Sequence, residues 1–304
     1  MSKTKKGSAS QQEKKSTLSK KQWIIVSISF LLVIVAASVL SVMFLQPAPV
    51  PFSLNAVIID QLAEDLPNPS FAQNVTKLLK DYGFNVTYQN KTDVDFFRQL
   101  AKLNCGIIIL RAHSALRNDN STVDLFTSEP FDSSNHVEDQ NSGLLVKGTL
   151  SYNGVKEYFA ITSQFIERLE GNFPKSIIIS MGCWSLKPNL EQVAAAFQGK
   201  GAKAYIGWTD LVGNTRSDEA TIQFVTKLVQ NNTLEEAAHD LWDMTYGSKI
   251  DIYPTSTKDL RLSDLVTKAK LNTASTSRLS ASNFFTVALD VADYTDRQFR
   301  TELS

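Results

Sequence analysis

Cysteine and histidine are scarce in this chain: two of the first and three of the second among 304 residues. That scarcity excludes a good deal. There is no Cys-x-x-Cys, and no two histidines stand at metal-ligand spacing, so neither a zinc site nor any other metal or cofactor is expected. No G-x-S-x-G elbow is present, which leaves Ser114 and Ser185 poor nucleophiles for a serine triad. No internal repeat runs along the chain. Net charge is also lacking, with 31 basic and 31 acidic side chains. The balance is uneven, however. Residues 1–22 hold seven lysines against Glu13 alone, so the remainder carries 24 basic and 30 acidic groups. An acidic main body argues against nucleic acid as a partner, because phosphate contacts need a basic surface.

One long apolar run is present. Trp23–Leu45 carries no charge over about 23 residues. At about 1.5 Å per residue it reaches across a hydrocarbon layer of about 30 Å. The lysines before it place the N-terminus in the cytoplasm and the rest outside. A cleaved signal peptide fits less well, since the run is long for an h-region and no A-x-A follows. The expected organisation is a cytoplasmic tail over 1–22, a single membrane-spanning helix over 23–45 and a proline-punctuated linker over 46–54. An α/β domain over 55–249 and a C-terminal extension over 250–304 follow. Sequons at Asn74, Asn85, Asn90, Asn120 and Asn231 suit an exported glycoprotein.

Beyond the linker, strand and helix signals alternate. Strands are expected at 55–60, 84–89, 105–112, 176–182 and 203–208. Helices are expected at 71–82, 93–103, 159–170, 190–199, 217–230 and 234–245. Such alternation predicts βαβ units, a mostly parallel sheet and helices on both faces. Residues 117–157 break the rhythm and read as a hairpin or lid. After 250 the signals weaken to a helix near 261–271 and a strand at 283–291.

Two apolar runs deliver chemistry at their ends. Cys105–Ala112 leads to His113, and Ser176–Gly182 leads to Cys183. Ligands of open α/β sheets sit beyond the carboxyl ends of the strands, where a thiol and an imidazole can act as nucleophile and general base. Cys105 opens its strand while Cys183 follows another. In parallel strands about 3.3 Å per residue separates the two by over ~20 Å, too far for a disulfide; antiparallel strands would allow the bridge. Of the other histidines, His136 lies in a polar loop and His239 in a helix.

With His113 and Cys183 in this order, the pattern resembles the caspase–haemoglobinase superfamily of cysteine peptidases, which includes caspases, gingipains, clostripain, separase and CHAT domains. The likeness continues through Leu190–Phe197, Gly201–Trp208, Ser217–Thr221 and Leu234–Ala238, nearest to the gingipain-like and CHAT branches. It covers roughly residues 55–245. It implies a three-layer sandwich around a mostly parallel sheet, and a peptide or protein substrate. It further implies Cys183 as nucleophile, His113 as base, and the backbone amides of Ser114 and Cys183 as the oxyanion hole. Asp210, just past the strand ending at Trp208, is a candidate for a basic substrate side chain, and Trp184 borders the cleft. The family usually has glycine where Ser114 stands. An inert module that binds peptide or protein through the same cleft is the other reading, and a ligand-binding ectodomain of flavodoxin-like form is a third.

Overall fold

The computed structural model describes Ile34, residues 51–151 and residues 154–270. The chain divides into two units after Ala48, and the second holds the elements that follow. The lysine-rich tail, the apolar run 23–45 (Ile34 apart) and the expected strand at 283–291 lie outside the described residues. Among the described residues no helix is long and apolar enough to cross a membrane.

The chain opens with β1 (Asn55–Asp60), α1 (Pro69–Tyr82), β2 (Asn85–Gln89), α2 (Val94–Arg98) and β3 (Ile107–Arg111). The second stretch is β4 (Ser114–Leu116), β5 (Val123–Pro130), α3 (Val137–Asn141), β6 (Leu145–Leu150) and β7 (Lys156–Ile161). Next come α4 (Ser163–Glu167), β8 (Ile177–Ser180), α5 (Gln192–Gly199) and β9 (Ala204–Trp208). The last are α6 (Asn214–Val229), α7 (Leu234–Ala238), β10 (Trp242–Asp243) and β11 (Ser248–Tyr253), then a helix over 262–270.

The main sheet has the order β10-β11-β9-β8-β3-β1-β2. The five strands from β9 to β2 are parallel, and β11 and β10 complete the far edge antiparallel. Every residue of β3, β8 and β9 is buried, which is why β3 and β8 are Ile-rich runs and β9 an apolar one rather than alternations. Successive side chains still point to opposite faces. Ile107, Ile109, Ile177 and Ile179 join one core with α1, α6, α7 and the 262–270 helix. Ile108, Leu110 and Ile178 join a second core with α2, α4 and α5. The molecule is therefore a mixed α/β fold with helices on both faces of a mostly parallel sheet.

Local signals set the helix ends. Asn68 caps α1 by accepting from the Phe71 amide at 3.0 Å, Pro69 follows at the first turn, and Gly83 ends the helix at φ 112°. Thr233 and Glu236 form a reciprocal capping box on α7.

Several expectations need correction. The segment expected as a hairpin or lid is a four-stranded antiparallel sheet, β4-β5-β7-β6, starting at Ser114. Residues 159–161 are not helical but finish β7, a central strand of that sheet; Thr162 then caps the short α4 through its side chain. The helix expected over 234–245 stops at Ala238, His239 turns the chain, and β10 takes up Trp242 and Asp243. The boundary drawn at 249 falls inside β11, whose Ile250 and Ile252 belong to the first core beside Leu262 and Leu265.

Candidate active site

β3 and β8 are neighbours in register, with Leu110 opposite Ser180. Just past these strands the chain carries His113 and Cys183 to the carboxyl edge of the sheet, with Gly182 packed against Ala112 and Ser114. Both residues line one narrow cleft with Leu62, Met181, Val212 and Asn214. Its interior volume is about 10 Å³, room for about one water molecule. The imidazole and thiol share no hydrogen bond. The thiol instead lies 3.5 Å from the Val212 amide, which donates to it, and 3.6 Å from the Val212 carbonyl.

Gly182 is what allows the two strand ends to close. A Cβ there would fall 2.2 Å from Ser114 Oγ and 2.7 Å from the Ala112 carbonyl oxygen. Ser114 Oγ donates to the Cys183 carbonyl at 2.5 Å, tying the base's neighbour to the nucleophile's own backbone. The Phe126 amide donates to the His113 carbonyl at 2.9 Å. The bond is not reciprocated, because the His113 amide donates to Gln61 instead. The Ser114 nitrogen comes within 2.8 Å of the space beside Gly182. The Cys183 amide contacts its own sulfur. Of the two amides expected to form an oxyanion hole, that of Cys183 lies in the cleft, whereas Ser114 packs against Gly182 and does not line it.

Electrostatics set the protonation states. Burial, with Arg111 adding to it against Asp65, pushes the His113 pKa down, so the imidazole is neutral and able to accept a proton. Burial also pushes the Cys183 thiol up, and the carboxylates of Asp210 and Asp243 reinforce this against the Val212 amide. The resting pair is a neutral imidazole and a neutral thiol. Cys105 is buried, 6% exposed, with its thiol pushed up to about 11. Both cysteines are free, as parallel strands require.

Trp184 and Asp210 are brought together, with each other. Trp184 has φ 55°, an unusual conformation for so large a residue. Its amide donates to the Asp210 carbonyl at 3.0 Å and its indole Nε1 to Asp210 Oδ1 at 2.7 Å. Asp210 Oδ1 also accepts from the Leu211 amide at 2.8 Å. One carboxylate oxygen of Asp210 is thereby committed to holding the loops after β8 and β9 together. The other histidines stand apart. His136 bonds Glu129 at 2.9 Å and packs on Phe159, while the exposed His239 pairs with Asp240 at 2.8 Å. Among the described residues no group of three or more metal-ligating side chains is clustered.

Residues that motif reading passed over support this edge. Arg111, 1% exposed, bonds Asp218 through Nε and Nη2 at 2.8 and 2.9 Å and Asp60 through Nη1 at 2.7 Å. Asn68 and Tyr88 each donate to this cluster at 2.8 Å. Gln61 accepts from the His113 amide at 2.9 Å, fixing the backbone behind the imidazole. Asp243 accepts from the Gly213 amide at 2.8 Å and the Thr245 amide at 2.9 Å. The signal for Arg111 and Asp60 was present: each is a charge closing an otherwise apolar strand, placed where β1 and β3 diverge. Asp218, Gln61 and Asp243 had no local signal.

These elements define a doubly wound α/β protein with a histidine and a cysteine at the carboxyl edge. No protein-family model matches the chain, and no curated protein matches it.

Proposed function

We propose that this chain is a membrane-anchored, outward-facing cysteine peptidase of the caspase–haemoglobinase class. One observation carries the reading: His113 and Cys183, just past the neighbouring parallel strands β3 and β8, line one cleft. The strand order, β2-β1-β3-β8-β9, is that of a doubly wound sheet whose ligands bind beyond the carboxyl ends. Outward orientation rests on the lysine-rich flank of Trp23–Leu45 and on the exposure of all five sequon asparagines.

In this mechanism His113 takes the Cys183 thiol proton as sulfur attacks the scissile carbonyl. The developing oxyanion accepts from the Cys183 amide, a type of interaction that contributes about 3–4 kcal/mol. Collapse breaks the C–N bond, His113 returns the proton to the leaving amine, and water hydrolyses the thioester. A neutral pair suits general-base attack on bound substrate better than a standing thiolate. Asp210 and Asp243 give the cleft a negative field that favours a basic residue in the substrate.

The small cleft volume and the Ser114–Cys183 tie favour a second reading, an inert module that binds peptide or protein partners. The experiment that separates them is peptide-library cleavage by the full chain under reducing conditions, beside Cys183→Ala and His113→Ala. Cleavage abolished in both variants supports the peptidase. No cleavage by the folded wild-type chain replaces it with the inert module.

A further inference from the structure

Large apolar side chains are concentrated at one place beside the cleft. In the β10–β11 hairpin, Trp242, Met244 and Tyr246 are 51%, 79% and 48% exposed. They stand at alternate positions within five residues, an exposed cluster that ordinarily marks a contact surface. Together with Leu66, Gly213 and Arg216 they line a groove of about 630 Å³.

This groove adjoins the candidate active site. Asn214 lines both. The loop after β1 also contributes to both, Leu66 to the groove and Leu62 to the cleft. Asp243, between two of the exposed residues, is close enough to act on Cys183 electrostatically. The hairpin is held rigidly in place. Its Asp243 accepts from the amides of Gly213 and Thr245, and Arg216 Nε donates to the Trp242 carbonyl at 2.8 Å. A braced turn loses little backbone entropy on binding.

The cleft at Cys183 holds about one water, so recognition of a peptide must come from the surface around it. We infer that the groove of Trp242, Met244 and Tyr246 is a subsite for an aliphatic or aromatic side chain of an extended peptide, a few residues from the bond presented to Cys183. The assignment rests on the peptidase reading for its catalytic consequence, but the binding it requires is measurable without catalysis.

The test uses the full chain and paired dye-labelled peptides that differ at a single position, leucine or phenylalanine against serine, scanned along the peptide. Cleavage is read for the wild type, for Met244→Ser/Tyr246→Ser, and for Val155→Ser as an exposed apolar control on another hairpin. Binding is read by fluorescence polarisation in the Cys183→Ala background, with and without the hairpin changes. Burial of one large apolar side chain predicts a preference of about tenfold or more for the apolar peptide at one position. That ratio should fall to about one in the double variant and persist in Val155→Ser. If nothing is cleaved but the Cys183→Ala chain still shows the hairpin-dependent preference, the groove stands and the peptidase reading falls. Cleavage without an apolar preference, or with one that survives the double change, overturns the groove and leaves the peptidase. Absence of both cleavage and preferential binding overturns the groove as well.

Discussion

At the scale of single residues, the cleft depends on an exchange between glycine and serine. Gly182 leaves room for Ser114, and Ser114 uses that room to hold the Cys183 carbonyl. A side chain after the histidine is tolerated because the facing position has none. The thiol is a matter of environment rather than neighbourhood in sequence. Burial and the paired carboxylates of Asp210 and Asp243 push it up, while Cys105 is closed off altogether. In the native chain iodoacetamide should therefore modify Cys183 alone, with a pH midpoint above the ordinary thiol value of 9.0. Asp243→Asn should lower that midpoint, since it removes one of the two carboxylates. A midpoint below the ordinary value, read by mass spectrometry across a pH series, would contradict this picture of the cleft.

At the scale of elements, the carboxyl edge is braced by an ion cluster that joins three of them. Arg111 ends β3, Asp60 ends β1, and Asp218 lies in the first turns of α6. Every one is buried. A buried pair is weak evidence of net stability, but breaking it leaves an uncompensated charge. Asp218→Ala should cost about 3–5 kcal/mol, seen as a lower urea midpoint at unchanged slope. Asp218→Asn, which keeps one acceptor for Arg111, should cost less. Equal and small losses in both variants would remove the cluster from its bracing role. Arg111 and Asp60 could be noticed as charges ending apolar runs. Their partner Asp218 could not, because helix periodicity does not reveal what a helix packs against.

At the scale of the whole molecule, the buried titratable groups give stability a defined acid profile. His113 is held below its ordinary 6.5, chiefly by burial. The stability it contributes is complete above about 6.5 and is lost as pH falls through the depressed folded value. Burial of Asp65 works the other way, but bonds from Lys156 and Tyr158 outweigh it and hold the carboxyl below 3.8. Asp243 is likewise lowered, by the Gly213 and Thr245 amides acting against burial. Their contribution persists above 3.8 and fails only as pH drops through their folded values. Urea midpoints measured from pH 8 to pH 3 should fall in two stages, and His113→Gln should flatten the upper one. A single loss below pH 4 would show that His113 is not coupled to folding.

What the amino-acid order determined is whatever local chemistry can decide. Continuous Ile-rich runs become strands buried on both faces because only such a position hides every side chain. Asn68, Pro69 and Gly83 bound a helix because caps act within one turn. The strand-end placement of His113 and Cys183 followed from the same runs, and so did the absence of a disulfide between parallel strands. Tertiary structure alone decided the remainder. It chose β7 over helix at 159–161, where a short apolar run suits either and two flanking strands offered pairing. It carried the sheet past 249 through β11, whose alternation gains meaning only against β9. It set Trp184 on Asp210, and Asp218 on Arg111, across gaps of 26 and 107 residues. Contacts at such separations depend on how the sheet orders its strands, and strand order is settled by the packing of all of them together.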